Sequence, residues 1–188
     1  MTHRTLRLLL AMLLSADALS GQGIHVSIGG GLYVNPDGGP GSTDVGPTIQ
    51  VGLAIPLTSR LDLTLDAGFA RTDFNVGVDE VHRNVNTVLV GLEASLLTGR
   101  TTLRLGIAGG VIGEDDVSET DPAFTSSTRW SGALSPGLEI GRRVGDRLEL
   151  FFGVRDDITG LFNAVFDPSE SAVRHRTTTV VGLRIGSR

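Results

Sequence analysis

The stretch Thr101-Thr102-Leu103-Arg104-Leu105-Gly106-Ile107-Ala108-Gly109-Gly110-Val111 decides the fold. Leu103, Leu105, Ile107, Gly109 and Val111 fall on one face of an extended chain, and Thr102, Arg104, Gly106, Ala108 and Gly110 on the other. This period of two belongs to a β-strand, whose successive side chains point to opposite sides of a pleated sheet. One face is uncharged and mostly aliphatic; the other is small except for a single arginine.

The same alternation spreads in both directions. Upstream, Val88, Val90, Leu92, Ala94 and Leu96 oppose Thr87, Gly91, Glu93 and Ser95; near the C-terminus, Thr179, Val181, Leu183 and Ile185 oppose Gly182, Arg184 and Gly186. Eight such runs are predicted, at about 24–34, 48–57, 61–71, 86–97, 101–112, 130–142, 147–156 and 175–186. Thr58-Ser59-Arg60, Thr98-Gly99-Arg100 and Gly145-Asp146 read as tight hairpin turns, and the polar stretches 36–47, 72–85, 113–129 and 157–174 as long loops. Val51-Gly52-Leu53-Ala54, Val90-Gly91-Leu92-Glu93, Phe152-Gly153-Val154-Arg155 and Val181-Gly182-Leu183-Arg184 form a weak internal repeat. Short turns alternating with long loops describe an antiparallel up-and-down meander, and an even number of strands lets it close without exposed edges.

A closed barrel can turn its apolar face inward, as a soluble carrier does, or outward to lipid. The polar face here is mostly Gly, Ala, Ser and Thr beside Glu93, Arg104, Glu139, Arg155 and Arg184. A water-facing surface would carry many long charged side chains instead, whereas the bore of an eight-stranded barrel has room only for a tight filling. Turning that face outward would set three mid-strand arginines against lipid at roughly 2–4 kcal/mol each, a large part of a typical stability of roughly 5–15 kcal/mol. The predicted fold is therefore all-β, an eight-stranded antiparallel up-and-down transmembrane β-barrel.

Charges inside such a barrel must be paired. Glu93, Glu139, Arg104, Arg155 and Arg184 are expected to form an interior salt-bridge network, with Asp62, Asp66 and Glu149 nearer the short-turn end. A two-residue turn at Thr98-Gly99 would pair Leu97 with Arg100 and set Glu93 opposite Arg104. The expected role of the network is a polar plug; an ion pathway is the competing one, against the narrowness of the bore.

Residues 1–20 read as a signal peptide preceding a barrel domain at 21–188. Arg4 and Arg7 precede the apolar Leu8–Leu14, and small residues at Ala16, Ala18 and Ser20 suit cleavage before Gly21. The 188 residues contain no cysteine, so neither disulfides nor thiolate chemistry is available. All 16 basic residues are arginine, against 21 acids, a balance that argues against a nucleic-acid partner. Nothing in the sequence calls for a cofactor, and no phosphate-binding glycine motif of Walker or Rossmann form is present. Glu114, Asp115, Asp116, Glu119 and Asp121 gather in one connection without the spacing of a calcium-binding EF-hand, and read as a solvated acidic loop.

A signal peptide, eight alternating strands, short turns alternating with long loops and x-Gly-Leu-x strand centres together resemble the small outer-membrane β-barrel proteins, such as the OmpA transmembrane domain and the OmpX group. The resemblance is one of pattern and covers residues 24–188. It implies an outer-membrane location in a Gram-negative-type envelope, chain ends on the periplasmic side and the long loops outside the cell. Members of that family close on an aromatic residue, where this chain has Ile185-Gly186-Ser187-Arg188; aromatic girdles are also thin, with Trp130, Phe69 and Phe152 facing lipid and Tyr33 facing inward.

Three functions follow. The leading one is a non-enzymatic barrel, bathed in outer-membrane lipid, with a structural or surface-interaction role toward an extracellular partner. The apolar cluster Leu161, Phe162, Val165 and Phe166 in the last long loop is a candidate interaction patch, or alternatively a turn folded over the barrel mouth. The second is an envelope lipid acyl hydrolase using His25 and Ser27, two residues apart on one strand face. The third is a soluble periplasmic barrel binding an apolar ligand.

Overall fold

The computed structural model describes residues 24–39, 42–76, 79–118, 128–161 and 173–186. They form eight strands: β1 (His25–Gly39), β2 (Ser42–Pro56), β3 (Leu61–Val76), β4 (Asp79–Thr98), β5 (Thr101–Ser118), β6 (Arg129–Arg143), β7 (Leu148–Thr159) and β8 (Arg174–Gly186). Each pairs antiparallel with its sequence neighbours, and β1 closes on β8 from His25↔Gly186 to Val34↔Thr177. The eight-stranded antiparallel up-and-down barrel is thus the observed fold. The expected signal peptide, 1–20, lies outside the described residues.

All eight predicted runs are strands, but the wall is taller than the runs. β4 begins at Asp79 rather than near 86, β5 continues to Ser118, and β3 and β4 pair as far as Val76↔Asp79. Much of the expected loops 36–47, 72–85 and 113–129 is therefore strand. Alternation of apolar and polar residues marks a strand only where its faces meet different media. Above the apolar band, the outward Arg71, Asp73 and Asn84 are as polar as the inward Thr72 and Arg83, so the ladder continues without the signal.

The two sides of the wall divide as the alternation implies. Outward aliphatic side chains stay half exposed, among them Val90 at 52%, Ile107 at 53% and Ile140 at 50%, with Phe69, Phe152 and Trp130 beside them. This belt on a closed barrel is a surface made for hydrocarbon. The soluble-carrier alternative required the aliphatic set inside, and the structure turns it out.

The turn between β4 and β5 corrects the expected register. Thr98 pairs with Thr102, and a β-bulge at Leu96 follows, so that Ser95 lies opposite Arg104 and Glu93 opposite Gly106. The bulge absorbs one residue, keeping Leu96 and Leu97 both outward at 50% and 54% exposure and returning Glu93 and Arg104 to the inner face. The β6–β7 ladder is broken between Leu134 and Gly137, at Pro136, whose nitrogen carries no hydrogen to donate.

Candidate functional site

The chemistry-bearing side chains meet inside the bore. In its short-turn half, Arg104 on β5 reaches Glu139 on β6 at 2.6 Å, Glu149 on β7 at 2.5 Å and Glu93 on β4 at 3.4 Å. Arg184 on β8 holds Glu93 and Glu139 at 3.1 Å each, and its guanidinium lies 5.6 Å from the centre of the Phe151 ring. Arg104 and Glu139 are direct cross-strand partners, as are Glu149 and Arg184. The contact from Glu93 to Arg184, by contrast, joins β4 to β8 across the bore. Two guanidinium groups thus share three carboxylates, and every charge is at least partly neutralised where water is scarce.

Glycine makes this arrangement fit at one decisive place. A methyl group at Gly141 would collide with Glu149 Oε1 and would stand 2.5 Å from Thr102 Oγ1. The inner face of β6 must be bare there for Glu149 to lean in toward Arg104.

Arg155 does not join that cluster. Its Nε lies 2.8 Å from Asp157 Oδ1, two residues along the same strand, and Ser135 Oγ donates to the same oxygen at 2.6 Å. Asp62 faces Glu93 across the β3–β4 ladder, and Asp66 faces Gly52. A cavity of about 120 Å³ adjoins the network, lined in part by Ser27, Asp66, Glu93, Arg104, Glu139 and Arg155. That volume holds several waters.

Sequence reasoning missed how the other half of the bore is filled. Tyr33, Ala70, Val85, Leu89, Ala108, Ile112 and Ala133 form a buried cluster, with Leu89 and Ile112 fully inaccessible. Beyond it stands a second ionic layer. Arg83 contacts Asp116 at 2.7 Å and Asp44 at 3.7 Å, and Arg176 contacts Glu114 at 2.6 Å. A signal existed in the parity of β4, where Leu89, Val85 and Arg83 share the face of Glu93. The acidic run 114–116 divides accordingly: Glu114 and Asp116 turn inward to arginines and Asp115 outward, which differs from a uniformly solvated loop.

On the outer wall above the belt, Asp73 accepts a 2.5 Å contact from His82 Nδ1 and lies 3.6 Å from Arg71, while Asp156 pairs with His175 at 2.8 Å. His25 and Ser27 both face inward at the short-turn end; Ser27 Oγ lies beside Gly52, near Asp66. The barrel wall separates that pair from the lipid a hydrolase would need to reach. Of the apolar loop patch, Leu161 is half-buried, and Phe162, Val165 and Phe166 lie outside the described residues.

No protein-family model matches the chain, and no curated protein matches it in sequence. Solved structures do match in fold. Neisserial surface protein A superposes with a TM-score of 0.61 at 10% identity, over 86% of this chain and 96% of that one. The attachment invasion locus protein Ail of Yersinia pestis, in complex with the heparin analogue sucrose octasulfate, gives 0.59 at 11% identity, over 88% and 99%. The N-terminal β-barrel domain of Pseudomonas aeruginosa OprF gives 0.53 at 9%, over 88% and 97%. The chain has the fold of the small eight-stranded outer-membrane barrels.

Proposed function

We propose that this chain is exported by residues 1–20 and resides in the outer membrane as a non-enzymatic barrel, presenting its long-strand end to a partner outside the cell. The observation that carries the reading is the pairing of a lipid-type exterior with a bore filled by two ionic layers and an apolar one. Such a bore offers neither a continuous aqueous path nor a site open to lipid, so the interior network of Glu93, Arg104, Glu139, Arg155 and Arg184 acts as a structural plug. Function is then left to the rim.

The chemistry of that rim narrows the partner. Segments 36–47, 72–85, 113–129 and 157–174 together hold thirteen Asp and Glu against three Arg. Asp44, Glu114, Asp116 and Asp157 turn inward, and the nine other acids of these segments still outnumber the three arginines in sequence. A polysulfated ligand of the kind bound to Ail would be repelled by such a surface, whereas a basic one would be drawn to it. The connection from β7 to β8 also carries Leu161, Phe162, Val165 and Phe166 in its sequence, an apolar component for the same partner.

Cell fractionation with surface proteolysis tests the reading. The chain should require detergent for extraction, and protease added to intact cells should cut between 119 and 128 while sparing the short turns. Release in a soluble periplasmic fraction, or cutting at the short turns alone, would overturn it.

A further inference from the structure

The two ends of the barrel differ in charge, and the short-turn end has no part in the reading above. Its three turns with the strand ends beside them, 57–60, 98–100 and 142–147, carry Arg60, Arg100, Arg142, Arg143 and Arg147 against the single acid Asp146, while Asp62 and Glu149 next to them face the bore. Arg60, Arg100, Arg142 and Arg147 are exposed and form no ion pair among the described residues. Arg143 is only loosely engaged, 4.0 Å from Glu149.

The backbone holds these residues in place. The carbonyl of Arg60 accepts a hydrogen bond from Ser95 N at 2.8 Å, that of Arg100 from Arg143 N at 2.9 Å, and that of Arg147 from Gly186 N at 3.0 Å. The first two turns are thereby tied to the next hairpin, and the third to the end of β8, through the residue whose guanidinium each presents. The Arg100–Arg143 tie also brings two turns together around an open hollow lined by Thr98, Gly99, Arg100, Arg143, Val144 and Gly145. The outward residues just above this rim, Leu57, Leu96, Leu97, Ile140 and Leu150, are the last of the apolar belt, and Val144 within the rim is 61% exposed.

We infer that this rim is a basic collar that binds the phosphates of anionic phospholipids in the adjoining leaflet, with the hollow between Arg100 and Arg143 as its strongest position. Guanidinium groups are suited to phosphate through paired N–H donors. A collar directly below an apolar belt sits at the depth where phosphates lie while acyl chains contact Val144 and Leu97. The inference rests on the membrane reading proposed above.

The test uses the full mature barrel in neutral detergent micelles doped with equal phosphatidylglycerol and phosphatidylcholine of the same acyl chains, with retained lipid read by native mass spectrometry. The protein should retain phosphatidylglycerol preferentially. Arg100→Gln with Arg143→Gln should lower that preference by about fivefold for each arginine removed, Arg60→Gln with Arg147→Gln should also lower it, and Arg71→Gln with Arg129→Gln at the opposite end should leave it unchanged. Equal retention of the two lipids, or a preference untouched by the Arg100 and Arg143 substitutions, overturns the inference. Loss of the preference on adding millimolar inorganic phosphate, but not chloride, would assign the hollow to a free anion and overturn the lipid assignment. Heat-modifiable gel migration in pure phosphatidylcholine vesicles reports separately on the membrane reading: its absence would sink that reading, whatever the lipid preference.

Discussion

In the short-turn half of the bore, Arg104 gathers Glu93, Glu139 and Glu149 beside a cavity of about 120 Å³; in the long-strand half, Leu89 and Ile112, with no accessible surface, pack in one cluster with Tyr33 and Val85. Both solve the problem of filling a narrow cylinder. Ion pairs tie strands that are not neighbours, such as β4 to β8 and β5 to β7, but they hold only while every partner is present. Apolar packing also crosses the bore, from Tyr33 on β1 to Leu89 on β4 and Ile112 on β5, but with no such dependence, and its failure is graded by the volume removed.

Substitutions can break or sharpen this contrast. The largest effect is expected from Arg104→Ala, which leaves Glu93 and Glu139 to share Arg184 alone and takes from Glu149 its closest cation, and which should cost about 3–5 kcal/mol, read as a lower midpoint of urea unfolding in lipid vesicles. Next comes Ile107→Arg at the middle of the outer belt, at about 2–4 kcal/mol in the same assay; a negligible change there would count against lipid contact at that face. Leu89→Ala should lie close to it, at about 2–5 kcal/mol, and a double-mutant cycle with Arg104→Ala should be near additive if the two layers are independent. Gly141→Ala is expected to cost about 1–3 kcal/mol by pushing Glu149 away from Arg104, and pairing it with Glu149→Asp should recover part of the loss. The smallest effect belongs to Leu97→Arg at the short-turn edge of the belt, within about 1 kcal/mol of the parent; a loss as large as that of Ile107→Arg would place the membrane boundary lower than the collar implies.

Residue by residue, legibility followed chemistry. Arg104, Glu139 and Arg184 were recognisable as interior because a long charged side chain among Gly, Ala and Ser, on a strand whose other face is aliphatic, has one place to go. Arg155 was legible as interior but not as a partner of Asp157, because Asp157 fell in an expected loop. The strand extensions were hidden for the same reason: outside the hydrocarbon both faces are polar, and alternation vanishes although the backbone ladder does not. The basic collar was present in the turns all along, yet its members are scattered between Arg60 and Arg147 and become one rim only on closure.

What the linear chain specifies here is the strand period, the sidedness of each strand and the hydrocarbon-facing exterior, since these depend on local alternation alone. Register, the bulge at Leu96 and the partners of each buried charge came from closure. An error of one residue in a turn moves every later pairing, and which guanidinium meets which carboxylate across the bore is set by the stagger of eight strands at once.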